Sequence, residues 1–320
     1  MAFKIFIDGQ EGTTGLKIIN RFEDRDDVII LQINKDKRKD IDARLEKVHK
    51  ADITFLCLPD EASREIVQMA SSNTRIIDAS TAHRTSLNWV YGLPELCADQ
   101  RMKIRASNRV AVPGCHATGF VLLVNPLLAL DIVDKDYPFL CNSITGYSGG
   151  GKKMISQYEA IKRGIEFNSP RQYGLGGNHK HLAEMTSITG IAYPPIFNPI
   201  VSDYYSGMQV TVPLHRRLLR NRIGPKELYD ELWEYYKNQP MVKIMDYELK
   251  PEVDFIAANE LSNRDDLQIH VFGNEEQIVL VARYDNLGKG ASGAAIQCMN
   301  IMLGLPEETG LICLNKLVND

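Results

Sequence analysis

Phe3-Lys4-Ile5-Phe6-Ile7-Asp8-Gly9-Gln10-Glu11-Gly12-Thr13-Thr14-Gly15 is the stretch that decides the fold of this chain. Phe3 to Ile7 is a short apolar run ending in Asp8-Gly9, the pattern of a buried parallel strand entering a turn. Gly9, Gly12 and Gly15 then follow as GxxGxxG and lead into the amphipathic segment Leu16 to Phe22. Strand, glycine turn and helix in that order form a dinucleotide-binding unit. The glycines let the backbone approach the ligand, and the helix start receives the pyrophosphate. A glycine triplet alone marks only a turn; behind the first strand of a chain it reads as a phosphate site. Gly9, Glu11, Gly12, Thr13, Thr14 and Gly15 are therefore the candidate cofactor contacts.

The same rhythm continues outward. Val28 to Leu31, Ile53 to Leu58 and Arg75 to Asp78 read as further strands, with helical segments over Ile41–Lys50 and Asp60–Ser71 between them. Alternating strands and helices predict a Rossmann-type, doubly wound parallel sheet with right-handed crossovers. Leu58-Pro59-Asp60 reads as a strand end and helix cap beside the cofactor, which adds Leu58 and Pro59 to the contacts. Cofactor choice is read after the second strand, where an acidic residue holds the ribose of NAD and bases accommodate the 2′-phosphate of NADP. Here the segment is Asn34-Lys35-Asp36-Lys37-Arg38-Lys39. A solvated loop would look the same, but one acid among four bases favours NADP, with Lys35 and Arg38 as the contacts.

Bulk properties bound the rest. At 320 residues the chain is long enough for two domains, and 44% hydrophobic residues supply their cores. A net charge of −4 gives no global basic surface for nucleic acid. The six cysteines are scattered, with no CxxC and no Cys/His spacing suited to zinc, so no metal is expected. The start of the chain lacks a secretory pattern, and no apolar run reaches the roughly 20 residues that span a bilayer. A cytoplasmic enzyme with no membrane partner is the expectation.

The middle of the chain carries the chemistry. Pro113-Gly114-Cys115-His116-Ala117-Thr118-Gly119 precedes the apolar run Phe120 to Val124, which reads as a buried helix that Pro126 kinks or ends. Cys115 then lies at a helix N-terminus, where free N–H groups and the positive dipole end favour the nucleophilic thiolate. Asp78-Ala79-Ser80-Thr81-Ala82-His83-Arg84 follows the fourth strand at the carboxyl edge of the sheet, where ligands bind. A later strand, Cys141 to Thr145, opens into Gly146-Tyr147-Ser148-Gly149-Gly150-Gly151-Lys152-Lys153, either a flexible linker or a loop presenting N–H donors to an anion.

His179-Lys180-His181-Leu182-Ala183-Glu184 is the third cluster. Two histidines at i and i+2 of a helix do not share a face, which argues against a joint metal site. With a helix starting near His181, Glu184 lies one turn on and could orient the imidazole or grip substrate. A lone histidine is more often a surface or core residue; with a candidate nucleophile in the chain, general acid/base work becomes the better reading. His215-Arg216-Arg217 follows the strand Gln209 to Pro213 and either binds an anionic group or solvates a loop. Near the end, Gly288-Lys289-Gly290-Ala291-Ser292-Gly293 enters a helix with small residues suited to close ligand approach, so Gly288 and Lys289 join the cofactor candidates.

Together these motifs resemble the N-acetyl-gamma-glutamyl-phosphate reductases, in particular the shorter of their two sequence types. The glycine triplet, Asp78-x-Ser80-x-Ala82-x-Arg84, Tyr91-Gly92-Leu93-Pro94-Glu95-Leu96, Val112-Pro113-Gly114-Cys115, Ser148 to Lys152, His179-Lys180-His181 and Asp285 to Gly293 all match in order and spacing. His116 and Ala117 after the cysteine, and the brevity of the chain, depart from the longer type. The resemblance implies an NADP-dependent oxidoreductase of arginine biosynthesis. It would convert N-acetyl-γ-glutamyl phosphate, through a Cys115 thioester, to N-acetylglutamate semialdehyde and phosphate. By the same resemblance His181 is the acid/base group, with His179 the weaker candidate. Ser80, Arg84, Tyr147, Ser148, Gly149, Glu184 and Arg216 are the expected substrate contacts. It also implies a discontinuous cofactor domain, 1–114 plus 289–320, and an α+β catalytic and oligomerisation domain, 115–288, that makes a homodimer or homotetramer.

Three rivals are weighed against this. An aspartate-semialdehyde dehydrogenase shares the chemistry but not the Tyr91–Leu96 and Pro113-Gly114-Cys115 context. A non-catalytic NADP-binding regulator would not need cysteine, histidine and anion loop together. A cysteine hydrolase would leave the glycine triplet unused.

Overall fold

The computed structural model describes residues 2–247 and 255–313, and the chain divides into two compact units. The first comprises Met1–Pro113 and Ala291–Leu311; the second is built on Gly114–Gly290.

In the first unit the order is β1 (Phe3–Asp8), α1 (Thr13–Phe22), β2 (Val28–Ile30), α2 (Ile41–Lys50), β3 (Ile53–Leu56), α3 (Asp60–Met69), β4 (Ile76–Asp78), β5 (Val90–Tyr91), α4 (Gln100–Ala106) and β6 (Arg109–Ala111). The six strands form one wholly parallel sheet in the order β2-β1-β3-β4-β6-β5. Strand order reverses at β1, which opens a crevice outside the carboxyl ends of β1 and β3. The apolar runs are short because both faces of the sheet are covered. On one side Phe6, Leu56 and Ile76 meet Val48 of α2 and Ile66 of α3; on the other, the rings of Phe22 and Phe55 lie 6.2 Å apart. The boundaries of α2 follow from its cap: the Asp40 carboxylate accepts from the N–H groups of Asp42 and Ala43 at 3.0 and 3.1 Å.

The second unit contains α5 (Cys115–Ala129), β7 (Leu140–Gly146), α6 (Gly151–Tyr158), β8 (Arg171–Gln172), α7 (His181–Thr189), β9 (Ile196–Ser202), β10 (Met208–His215), α8 (Pro225–Tyr236), β11 (Val242–Ile244), β12 (Leu267–Gly273) and β13 (Gln277–Tyr284). Among the described residues its seven strands make a mixed sheet in the order β11-β12-β13-β10-β7-β9-β8. The register sets Met208 opposite Tyr284 and His215 opposite Gln277. Alternation along β10 buries Met208, Val210, Val212 and Leu214 on the side that carries α5. Gln209, Thr211 and Pro213 on the other side keep partial exposure, as do Asn142, Ile144 and Ile200 on neighbouring strands.

Pro126 does not end α5, which continues to Ala129. A proline there leaves the Leu122 carbonyl without its usual i+4 donor, and the Tyr236 hydroxyl donates to that carbonyl at 2.6 Å. After β13 the chain supplies α9 (Gly293–Leu303) to the first unit. There Asn300 Oδ1 accepts from Arg25 at 3.0 Å and Gln297 donates to Glu95 at 2.9 Å. No helix among the described residues is long and apolar enough to cross a membrane.

Candidate active site

Cys115 is the first residue of α5. Gly114 before it is extended (φ −72°, ψ 145°) and brings no capping side chain. Its N–H donates to Glu184 Oε1 at 2.7 Å, and its carbonyl accepts from the Thr118 N–H at 2.9 Å and hydroxyl at 3.1 Å. The residue behind the thiol is thereby fixed from both ends. The leading N–H groups of α5 have no acceptor within the helix and form its positive end, an electrostatic setting that favours a thiolate.

The Cys115 thiol, a ring nitrogen of His116 and a ring nitrogen of His181 all lie within 4.8 Å of one another. The i, i+2 pair is His179 and His181; this group instead brings together His116, second residue of α5, and His181, first residue of α7. Three such ligands could hold a metal ion by distance alone, but His116 is already engaged on both sides. Its Nδ1 lies 2.7 Å from Ser143 Oγ and its Nε2 lies 2.7 Å from the Tyr173 hydroxyl. Burial, with the nearby His179 and Lys180 charges, pushes the His116 pKa down to about 3. His116 is therefore a neutral ring held between two hydroxyls. Burial beside the Cys115 charge raises the pKa of Tyr173, which keeps its proton. Sequence reading passed over His116 and Tyr173; the one signal was the position of His116 directly after the cysteine.

His179 does another task. Its Nδ1 accepts from the His181 backbone N–H at 3.2 Å, which serves one of the open donors at the start of α7. Burial, and then the Lys180 charge, lower its pKa. Glu184, expected to orient an imidazole or grip substrate, is buried, and one of its carboxylate oxygens accepts from the Gly114 N–H.

In the glycine loop the side chains are engaged within the protein. Ser148 is completely buried and its hydroxyl accepts from Asn286 Nδ2 at 3.0 Å. Gly149 lies beside the same amide. The Tyr147 ring stacks on Tyr158 at 4.8 Å and its hydroxyl donates to Glu159 at 3.4 Å. These side-chain contacts hold the loop. Arg216 lies apart from Cys115. It follows the His215 end of β10, whereas the Tyr284 end approaches Cys115, and seven residues of strand separate the two by about 23 Å. Its guanidinium bonds the Arg222 and Glu275 carbonyls at 2.7 and 3.0 Å.

In the first unit a cleft of about 540 Å³ lies at the strand-order reversal, lined by Gly9, Glu11, Gly12, Leu58, Pro59 and Arg38 among others. Gly9 adopts φ +84°, and a Cβ there would sit 2.2 Å from the Cys57 carbonyl oxygen, so only glycine fits. The N-cap of α1 is Gly12, which offers no side-chain cap, so the first-turn N–H groups around Thr13, Thr14 and Gly15 suit a phosphate. Arg38 pairs with Glu11, and Lys39 rather than Lys35 lines the cleft; Lys35 begins a short 3-10 turn. Asp8 bonds Arg44 at 2.9 Å; burial raises its pKa while Arg44 opposes the rise. The donors and the glycine cradle fit a dinucleotide.

Ser80 and Arg84, also in this unit, are engaged locally. The Ser80 hydroxyl donates to Asp78 at 2.7 Å, and Arg84 donates to the Val112 and Ala79 carbonyls at 2.9 and 3.1 Å. Gly288 and Lys289 belong to the second unit: the Gly288 N–H donates to the Asp285 carbonyl at 3.1 Å, and Lys289 is completely buried. Neither lines the dinucleotide cleft.

Residues 4–104 match the semialdehyde dehydrogenase NAD binding domain, and residues 115–286 match the semialdehyde dehydrogenase dimerisation domain. The chain belongs to the semialdehyde dehydrogenase family. Among its relatives, N-acetyl-gamma-glutamyl-phosphate reductase 2 of Nostoc sp. is 44% identical, covering 96% of this chain and 99% of its own. The N-acetyl-gamma-glutamyl-phosphate reductase of Brucella ovis is 42% identical, over 94% and 99%. The resemblance drawn from the motifs is thus borne out. Solved semialdehyde dehydrogenases share the fold: aspartate semialdehyde dehydrogenase II of Vibrio cholerae has a TM-score of 0.66 at 15% identity, over 95% of this chain and 99% of its own. That of Francisella tularensis has 0.68 at 15%, over 94% and 100%.

Proposed function

We propose that this chain is an NADPH-dependent oxidoreductase that reduces N-acetyl-γ-glutamyl phosphate to N-acetylglutamate semialdehyde, a step of arginine biosynthesis. The observation that carries it is the Cys115 thiol at the N-terminus of α5 with a His181 ring nitrogen within 4.8 Å, in a chain 44% identical to a reductase of that name. Relatives named for the aspartate substrate resemble this chain at 15% identity, a likeness of fold alone.

His181 takes the Cys115 proton, and the thiolate attacks the acyl carbon of the substrate. The acyl C–O bond breaks, its electron pair leaves on phosphate, and His181 returns the proton to that phosphate. A thioester on Cys115 remains, a better hydride acceptor than a carboxylate. NADPH, held by the glycine turn, the first turn of α1 and the Arg38–Lys39 edge of the cleft, supplies the hydride when bound. Collapse of the resulting tetrahedral centre releases the aldehyde and restores the thiolate, and a proton taken up from solvent through His181 returns it to the thiol. His116, neutral between Ser143 and Tyr173, packs the floor of the site rather than carrying protons.

The partly exposed sheet face bearing Ile144, Ile200 and Thr211 supports a homodimer, with the family's dimerisation domain behind it. Six scattered cysteines with no disulfide framework suit a reducing cytoplasm.

The reaction is tested in reverse, with NADP, phosphate and either N-acetylglutamate semialdehyde or aspartate semialdehyde. The acetylated aldehyde is expected to give the higher kcat/KM, and Cys115→Ser to abolish turnover. Preference for aspartate semialdehyde would overturn the assignment.

A further inference from the structure

Tyr284, the last residue of β13, places its hydroxyl in the first turn of α5. Its oxygen lies 2.5 Å from the Cys115 carbonyl, to which it donates, and 3.0 Å from the Gly119 nitrogen, from which it accepts. In a regular helix the N–H of residue 119 serves the carbonyl of residue 115 directly. Here a side chain from a strand 169 positions away engages both groups of that bond. Insertion of a side chain into the i→i+4 ladder is a recognised cause of local helix distortion.

Gly119 is what admits the hydroxyl. A Cβ at Gly119 would lie 2.7 Å from the Tyr284 oxygen and 2.7 Å from Val210 Cγ2. Tyr284 itself is completely buried, and burial raises its pKa well above the usual phenol value, so it remains a proton donor. Its backbone is held between Met208 and Leu267 on the flanking strands. The turn that follows is fixed as well: the Asp285 carboxylate accepts from the Leu287 N–H at 2.7 Å and the Ser206 hydroxyl at 3.0 Å. The hydroxyl therefore has a rigid mount.

We infer that Tyr284 is a positioning residue for the nucleophile: its hydroxyl, bridging the Cys115 carbonyl and the Gly119 amide, sets the orientation of the helical turn that carries the thiol. This rests on the reading of Cys115 as the nucleophile. A tyrosine serving only as core filling would be replaced by phenylalanine without kinetic consequence. A positioning tyrosine would not, because the freed Gly119 N–H would close on the Cys115 carbonyl and swing the thiol from its place.

The test compares Tyr284→Phe with enzyme carrying 4-aminophenylalanine at 284, which keeps a donor on the same ring. The readouts are steady-state kinetics, thermal unfolding, and the pH dependence of Cys115 alkylation by iodoacetamide. Tyr284→Phe is expected to lower kcat about tenfold while leaving KM within about twofold. The alkylation midpoint should move to higher pH as the thiol leaves the amide end of the helix, and the amino variant should restore both. If the phenylalanine variant does not fold, 4-fluorophenylalanine at 284 takes its place as the donor-free ring. Unchanged kcat and alkylation profile in the donor-free enzyme would overturn the inference, as would a loss that the amino variant fails to restore. Cys115→Ser, run alongside, separates the two ideas: near-normal turnover there defeats the nucleophile reading itself, whatever Tyr284 does.

Discussion

The carboxylate of Glu184 lies 2.7 Å from the backbone nitrogen of Gly114, so α7 holds the residue directly behind Cys115. The same helix begins with His181, whose ring nitrogen lies within 4.8 Å of the thiol. One element thus places the acid/base candidate and braces the turn of the nucleophile candidate. Removing the brace leaves a buried N–H without its charged acceptor. Glu184→Ala should cost about 1–3 kcal/mol in urea unfolding at neutral pH, and kcat should fall with it. Glu184→Gln keeps a carbonyl acceptor and should recover most of the stability. A Glu184→Ala enzyme as stable as wild type would contradict this role.

His116 provides a pH signature. Its pKa falls from 6.5 in the unfolded chain to about 3 in the fold, chiefly through burial. The unfolded chain then binds the extra proton below pH 6.5 while the folded one does not. The stability contribution is therefore full above pH 6.5 and erodes as pH falls toward 3. By linkage the whole effect is at most on the order of 5 kcal/mol. Wild type should lose stability more steeply than His116→Gln between pH 7 and pH 4, measured by denaturant titration at each pH. Parallel slopes would refute the assignment.

Cofactor choice falls to the edge of the cleft formed by Arg38 and Lys39. Because Arg38 is paired with Glu11, Lys39 is the base expected to answer the 2′-phosphate. Lys39→Ala should reduce kcat/KM for NADPH about tenfold, the loss of one charge-assisted contact, and leave NADH unchanged. Equal losses with both cofactors would place the contact elsewhere.

Arg216 is the matching negative case. Its position beyond the far end of β10 predicts that Arg216→Ala changes kcat/KM by less than about twofold, as for a surface change remote from the chemistry. A loss of a hundredfold with unaltered stability would restore it to the site.

What was legible in the sequence was local. The β1 turn could be read because Gly9 needs a left-handed backbone, and α2 because Asp40 caps it. Strands β5 and β6, two and three residues long, escaped. Pro126 was read as a kink or stop, and it does not stop the helix; Tyr236, 114 positions beyond Leu122, satisfies the carbonyl that the proline frees. The candidate nucleophile Cys115 and the candidate acid/base residue His181 stood out by residue type. Their supports did not: Glu184 reaches Gly114 across 70 positions and Tyr284 reaches Cys115 across 169. Ser148 and Arg216 show the same limit, since an anion-binding side chain and a structural one look alike in sequence and differ only in their partners.

The central claim is a thioester on Cys115. The direct measurement is mass spectrometry of the protein after brief incubation with N-acetyl-γ-glutamyl phosphate, without NADPH and under mildly acidic quench. One N-acetylglutamyl group should be found on the peptide bearing Cys115, labile to hydroxylamine, lost on adding NADPH and absent from Cys115→Ser. An unmodified Cys115 in wild-type protein that nonetheless turns over the substrate would contradict the account.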